Sequence, residues 1–143
     1  MEKKTILITG SSSGIGKAAA EIFLKNDYLV YGIDQNTSTI EDKNYLHFKV
    51  SVTDFKNLPE LKNINYILNN AGTMEEQKSL ETNLQGYINI IQKYQSNSLK
   101  AVLNIASTAG HHGLANPCTL LLRPLELTTP NTLPKHLAKN TRL

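Results

Sequence analysis

Residues Thr9 to Gly16 read T-G-S-S-S-G-I-G, directly after the apolar residues 6–8 and directly before a helical pattern. A strand, a glycine-rich turn and a helix start in this order form a phosphate-binding corner, because the first N–H groups and the positive dipole end of the helix face the anion. Gly10 permits the sharp turn, Gly14 lets the backbone approach a pyrophosphate, and Gly16 lets helix and strand pack tightly. The motif therefore predicts a dinucleotide site, with a plain turn as the alternative.

The composition is that of an ordinary globular domain. The chain has 143 residues, of which 40% are hydrophobic and 19% charged, enough for one domain with its own core. The first residues contain too few apolar side chains for a signal peptide, and no run approaches the length of a membrane span. The single cysteine, Cys118, forms no internal disulfide. We therefore expect a cytoplasmic protein without a membrane partner.

Charge and ligand spacing argue against two further classes of function. The formal net charge is +3, but eleven lysines and eleven acidic residues cancel before residue 118, so the surplus lies in the tail. We therefore expect no nucleic-acid surface. His111 and His112 are adjacent, and neither Cys-x-x-Cys nor His-Glu-x-x-His occurs, so no metal site is expected.

Apolar periodicity predicts strands that alternate with helices. The predicted strands cover residues 6–8, 28–33, 45–50, 66–68 and 101–106. The first helix is expected to end near Asn26, with the apolar stripe Ile15, Ala18, Ala19, Ile22 and Phe23. A helical turn is expected over residues 54–61. A long helix from about Ser79 to Tyr94 has the stripe Leu80, Leu84, Tyr87, Ile88 and Ile91, with Asn83 on the same side. The alternation predicts an α/β fold with a doubly wound parallel sheet.

Four conspicuous residues follow the ends of different predicted strands: Gly10, Asp34, Asn70 and Ser107. In an open parallel sheet the carboxyl ends of the strands meet at one edge, where ligands bind. We therefore expect these residues to border one site.

Several motifs of the chain, taken in order, resemble those of the short-chain dehydrogenase/reductases: Thr9-Gly10-x-x-x-Gly14-Ile15-Gly16, Asn69-Asn70-Ala71-Gly72, Thr82-Asn83-Leu84, and Leu103 to Gly110. The likeness covers residues 1–117, the expected nucleotide-binding domain. It implies a Rossmann-type sheet of about five strands in the order 3-2-1-4-5, which is incomplete. It also implies hydride transfer between NAD(P)(H) and a small-molecule carbonyl or alcohol, and a homo-oligomer.

The same resemblance implies roles for individual residues. Ser107 would bond the substrate oxygen where charge develops, and Asn83 would hold a water of the proton relay. The implied cofactor-binding residues are Gly10, Ser12, Ser13, Gly14, Ile15, Gly16, Asp34, Val52, Asn70, Ala71 and Gly72. Taken without the family, Asn83 fits equally well as a cap of neighbouring backbone, and Asn70 fits better as a tie between strands.

The expected cofactor is NAD(H) rather than NADP(H). Asp34 lies 18 residues past Gly16 at the end of a strand, where a carboxylate accepts hydrogen bonds from the adenosine ribose hydroxyls. A 2′-phosphate would meet like charge there, and neither Ser13 nor Gln35 supplies a cation. Lys17 and Lys43 are the two cations with the reach to offset this. Ser51-Val52 replaces the family's aspartate-valine, which weakens the contact to adenine.

The family's acid/base pair is missing from the chain. A tyrosine is expected about a dozen residues after Ser107, with a lysine four positions beyond it, but no tyrosine follows Tyr94. The chain as written is therefore expected to be inactive or nearly so, and a non-catalytic dinucleotide-binding protein or pseudogene product is the alternative function. Tyr45 and Lys49 have the right mutual spacing but precede Ser107, which we attribute to chance.

The composition changes where that pair is missing. Residues 118–143 contain no isoleucine, valine, glycine, phenylalanine or tyrosine, and we expect a disordered tail unrelated to the family. Read one nucleotide out of phase, codons 118–123 permit a tyrosine, three small residues and a lysine at the family's spacing. Our hypothesis is a frameshift after Pro117 that truncates the family sequence. Sequencing the gene across codons 116–124 tests it, and an in-frame ancestor without the pair would refute it.

Overall fold

Five short strands form one parallel sheet in the computed structural model, which describes residues 3–106. They are β1 (Thr5–Thr9), β2 (Leu29–Asp34), β3 (Tyr45–Lys49), β4 (Tyr66–Asn69) and β5 (Ala101–Asn104). The order is β3-β2-β1-β4-β5, as predicted, and every neighbouring pair is parallel. The central strand β1 is buried along its whole length, because helices cover both faces of such a sheet.

Within the described residues, three α-helices flank the sheet: α1 (Gly14–Lys25), α2 (Glu76–Leu80) and α3 (Gly86–Tyr94). A short 3₁₀ turn, Phe55–Asn57, lies where the helical turn was predicted. Alternate residues of β1 point to opposite layers of the core: Ile6 and Ile8 pack with Ala20 and Leu24 of α1, whereas Leu7 packs with residues of α3. The fold is thus the doubly wound α/β arrangement that the sequence predicted.

The predicted buried face of α1 was wrong by about one residue. Ile15 and Ile22 are 63% and 58% exposed, and the helix buries Gly16, Ala20 and Leu24 instead. A Cβ on Gly16 would lie 2.1 Å from the carbonyl oxygen of Gly10. The small residues therefore face the sheet because the start of the helix presses directly onto the turn that precedes it.

The predicted long helix begins earlier than expected and is not regular. A π-helical turn, Glu81–Gln85, joins α2 to α3. Such a turn adds a residue to the helix and rotates the preceding segment relative to the following one. Leu80, which the uninterrupted stripe placed in the core, is consequently 54% exposed, whereas Asn83 is buried as predicted and Ile90 is fully buried.

Two sequence predictions lie outside the described residues. Ser107 follows the last described residue, and so does the tail 118–143. The boundary between a domain 1–117 and that tail therefore remains a prediction.

Substituting the two glycines of the helix start tests the packing of α1. We expect Gly16→Ala to cost about 3 kcal/mol of unfolding free energy, because the new Cβ meets rigid backbone. Gly14→Ala is the matched control: its Cβ meets nothing within 4 Å, and only the positive φ of 53° opposes it, at about 1 kcal/mol. Urea denaturation measures both, and equal costs would contradict this packing.

Candidate functional site

A cleft of about 240 Å³ opens at the carboxyl edge of the sheet. Its walls include seven of the predicted cofactor residues: Gly10, Ser13, Asp34, Val52, Asn70, Ala71 and Gly72. The other four, Ser12, Gly14, Ile15 and Gly16, belong to the adjoining turn and helix start. The structure thus brings Gly10, Asp34 and Asn70 together at one edge, as the sequence predicted.

The glycine turn leaves the start of α1 open. Gly10 and Gly14 both have positive φ, 68° and 53°, a conformation that glycine adopts without strain. Ser13 is the N-cap of α1, but its side chain makes no capping hydrogen bond. The first N–H groups of the helix are therefore not occupied by that side chain, and they meet the requirement for binding an anion.

Thr9 and Asn70 join the glycine turn to the end of β4. The Oγ1 atom of Thr9 accepts hydrogen bonds from the backbone N–H groups of Asn70 and Ala71, both at 3.0 Å. The side-chain Nδ2 of Asn70 donates to the carbonyl oxygens of Thr9 and Gly10, at 3.1 and 3.3 Å. Asn70 therefore ties two strands together, which was the favoured alternative to a direct contact with substrate.

Asp34 bonds to two backbone segments at the edge of the cleft, the glycine turn and the loop after β2. Its Oδ2 accepts from the N–H of Ser12 at 3.0 Å, and its Oδ1 accepts from the N–H of Asn36 at 2.9 Å. Ser12 also donates its hydroxyl to the carbonyl oxygen of Asn36 at 3.0 Å. A carboxylate offers about four lone-pair sites, so Asp34 keeps acceptor capacity for a ligand, whereas the polar groups of Ser12 are engaged within the protein.

Val52 contributes mainly to the core. Only 5% of its surface is exposed, and a Cβ on Gly86 would lie 2.5 Å from its Cγ2 atom. Its carbonyl oxygen accepts a hydrogen bond from Nδ2 of Asn89 at 2.9 Å. Val52 thus fixes α3 against the cleft and borders the cleft with only a small surface.

The side chain of Asn83 caps a neighbouring loop. Its Oδ1 accepts from the N–H of Thr73 at 2.8 Å, and its Nδ2 donates to the carbonyl oxygen of Thr73 at 2.9 Å. Both ends of the amide are therefore used, which agrees with the backbone-cap interpretation. Asn83 also lies inside the π-helical turn, a feature that is frequent at functional sites.

Tyr87 fixes the chain just before position 107. Its hydroxyl donates to the carbonyl oxygen of Ile105 at 3.0 Å, and the side chain is buried. Burial raises the pKa of Tyr87 to about 12, because the charged phenolate loses its hydration. Tyr87 therefore suits a structural role and is a poor proton donor near neutral pH.

The described part of the chain offers neither a metal cluster nor a transmembrane helix. Within residues 3–106, no three His, Cys, Asp or Glu side chains are grouped to hold a metal ion. No helix in that range combines the length and the apolar character that crossing a membrane requires.

The sequence profile of the family described as short chain dehydrogenase matches residues 4–119. The chain belongs to this family.

Two relatives with named activities are similar to this chain. It is 29% identical to the 3-ketodihydrosphingosine reductase of Bacteroides thetaiotaomicron, over 80% of this chain and 51% of the relative. It is 27% identical to the serine 3-dehydrogenase of Agrobacterium fabrum, over 76% of this chain and 55% of the relative. The chain thus spans about half the length of the relatives it matches.

Solved structures confirm the fold. A short-chain dehydrogenase from Leptospira borgpetersenii with bound NAD⁺ superposes with a TM-score of 0.71 at 20% identity, covering 81% of this chain and 56% of that one. A protein named ElxO, solved with NADP bound, has a TM-score of 0.67 at 27% identity, covering 82% and 61%. Both NAD⁺ and NADP therefore occur among similar structures.

Three residues whose hydrogen bonds fix the segments around the cleft were not predicted: Thr9, Tyr45 and His47. Thr9 directly precedes Gly10, and its position gave a usable indication. Tyr45 and His47 looked like the polar side of a strand, and nothing in the local pattern shows that their side chains reach the glycine turn.

Alkaline unfolding tests the burial of Tyr87. Below about pH 10 both states hold the phenol proton, whereas up to about pH 12 only the folded state keeps it. The unfolding free energy therefore falls as pH rises through this window, by roughly 1.4 kcal/mol per unit for this group. We expect Tyr87→Phe to reduce that slope. Phe48→Leu, a control at a partly buried position that removes no titratable group, should leave it unchanged. If the unfolding free energies of Tyr87→Phe and of the unaltered chain, measured by denaturation, fall with the same slope between pH 10 and 12, the raised pKa of Tyr87 is contradicted.

Proposed function

We propose that the chain is the cofactor-binding part of an NAD(H)-dependent oxidoreductase. One observation carries the proposal: the uncapped start of α1 and the carboxylate of Asp34 border the same cleft. A helix start without a side-chain cap suits a pyrophosphate, and a carboxylate at the end of the second strand suits a ribose diol. The two groups together match the two ends of an adenosine diphosphate.

The residues around the cleft would hold the cofactor through backbone and carboxylate groups. The turn at Gly10, Ser13 and Gly14 would bind the phosphates, Asp34 the ribose, and the segment at Val52 and residues 70–72 would border the adenine and the remaining cofactor. When bound, the nicotinamide supplies or accepts a hydride. Ser12, Ile15 and Gly16 complete the turn that presents these groups.

The preference for NAD(H) rests on Asp34, since similar structures bind either NAD⁺ or NADP. A 2′-phosphate beside this carboxylate meets like charge. Lys17, one of the two cations that were expected to have the reach to offset it, donates to Oγ1 of Thr39 at 2.8 Å. That bond directs its ammonium to the loop after β2.

We further propose a carbonyl or alcohol as the reacting group of the substrate. The named relatives are a reductase of a keto compound and a dehydrogenase of serine, which supports this class. Ser107 would bond the reacting oxygen. Asn83 would hold a relay water through its backbone, because its side-chain amide is engaged by Thr73.

The chain as written lacks the donor that completes this chemistry. No tyrosine follows Tyr94, and the raised pKa of Tyr87 makes it a poor substitute. Loss of general acid catalysis costs about 100- to 10,000-fold in rate. This observation favours the second candidate, a protein that binds the dinucleotide without catalysis. Hydride-transfer assays on this chain and on a frame-corrected form separate the two functions.

Three broader inferences accompany the proposal. Residues 1–117 form the family domain and 118–143 an unrelated tail. The single cysteine supports a reducing compartment, the cytoplasm. An oligomer, which the family implies, would apply to a full-length member.

Cofactor titrations on two aspartate variants test the role of Asp34. We expect the unaltered chain to bind NADH about tenfold or more tightly than NADPH, since like charge disfavours the 2′-phosphate. Asp34→Ser should bring the ratio of the two dissociation constants close to one. Asp42→Ser is the matched control, because Asp42 also accepts the N–H two residues ahead, that of Asn44 at 2.7 Å, but lies outside the cleft.

Fluorescence titration with each reduced cofactor measures these constants. An unchanged ratio in Asp34→Ser, or the same change in Asp42→Ser, would contradict the proposed contact with the ribose.

A further inference from the structure

A chain of hydrogen bonds runs from the glycine turn to the loop after β2. The hydroxyls of Ser11 and Tyr45 lie 2.9 Å apart, and the Tyr45 hydroxyl lies 3.2 Å from Nδ1 of His47. Nε2 of His47 lies 2.9 Å from the carbonyl oxygen of Asn36. The chain thereby links the turn that begins the phosphate corner to the segment that follows Asp34.

The donor and the acceptor of each of these hydrogen bonds follow from the carbonyl oxygen of Asn36, where the series ends. The carbonyl oxygen of Asn36 only accepts, so Nε2 of His47 must hold a hydrogen. In the neutral imidazole Nδ1 is then an acceptor, so Tyr45 donates to it and accepts from Ser11. The hydroxyl hydrogens of Ser11 and Tyr45 consequently both have an acceptor.

Gly32 provides the space through which this chain passes. His47 and Gly32 are register partners on β3 and β2. A Cβ on Gly32 would lie 2.3 Å from the hydroxyl oxygen of Tyr45 and 2.5 Å from the hydroxyl oxygen of Ser11. The contact between Ser11 and Tyr45 therefore exists only because β2 has no side chain at this position.

The end of this series of hydrogen bonds, at Asn36, lies beside the proposed ribose site. The carbonyl oxygen of Asn36 accepts from His47 and also from the hydroxyl of Ser12, and the N–H of Asn36 donates to Asp34. The backbone that follows Asp34 is thus held from β3 on one side and from the glycine turn on the other. Loss of the hydrogen bond from His47 on β3 would remove one of these two supports.

We infer that Tyr45 and His47 are positioning residues for the adenosine end of the cofactor, an inference that rests on the proposed function. They hold the Asp34–Asn36 segment against the glycine turn through the hydrogen bonds of Tyr45 with Ser11 and of His47 with the carbonyl oxygen of Asn36.

Titrations with NAD⁺ at pH 8 on the unaltered protein and four variants test this inference. For Tyr45→Phe we expect binding about 5- to 10-fold weaker, as for loss of one hydrogen bond between partly buried groups. Tyr31→Phe, which removes a hydroxyl outside this series of hydrogen bonds, should bind as the unaltered protein does. His47→Gln keeps a donor for the carbonyl oxygen of Asn36, so its affinity should stay within about threefold of that of the unaltered protein. His47→Leu has no such donor and should bind about 5- to 10-fold more weakly.

The inference is overturned if Tyr45→Phe binds like Tyr31→Phe, or if His47→Leu binds as tightly as His47→Gln. If Tyr45→Phe does not fold, as judged by circular dichroism, the comparison of His47→Leu with His47→Gln decides alone. Failure of the folded, unaltered chain to bind NAD⁺ overturns the proposed function together with the inference.

Discussion

The contact between the start of α1 and the turn before it determines the rest of the structure. Gly16 lies so close to Gly10 that a single methyl group would overlap the carbonyl oxygen, and Nδ2 of Asn70 would lie 2.6 Å from the same methyl group. Strand β1, helix α1 and the end of β4 therefore meet at one point with no side chain of position 16 between them. Because this junction fixes where the helix begins, it also fixes the cleft at the edge of the sheet.

Around this junction, polar side chains bond to backbone far more than to each other. Thr9 and Asn70 fasten β4 to the glycine turn, Asp34 fastens the turn to the loop after β2, and Asn83 fastens the loop after β4 to the helix. Backbone groups in loops need such partners when strands end at a shared edge. The same residues that the family resemblance assigned to the cofactor thus also build the rim that would receive it.

The strands and the position of the phosphate corner were predictable, because the apolar runs and the glycines lie in the sequence itself, whereas the strand order came from the family resemblance. The phase of α1 was not predictable, since Ile15 and Ile22 mimic a buried stripe, and only the contact at Gly16 turns them outward. The π-helical turn was missed for a related reason: an added residue inside a helix leaves no local mark in the pattern, and it exposes Leu80.

The candidate site, like the fold, was predicted only in part. Gly10, Asp34 and Asn70 were placed at one edge from their positions after strands, and the structure brings them together. Tyr45 and His47 were missed because their partners are more than ten residues away in the chain, Ser11 and Asn36. Contacts between distant segments depend on the register of β2 and β3, which the sequence does not reveal.

Backbone amide NMR of the chain during addition of NAD⁺ tests the central claim most directly. The account predicts that the largest shift changes fall on Gly10, Gly14 and the first turn of α1, with smaller changes at residues 34–36. Changes that avoid this corner, or no changes at millimolar NAD⁺ in a folded sample, would contradict it.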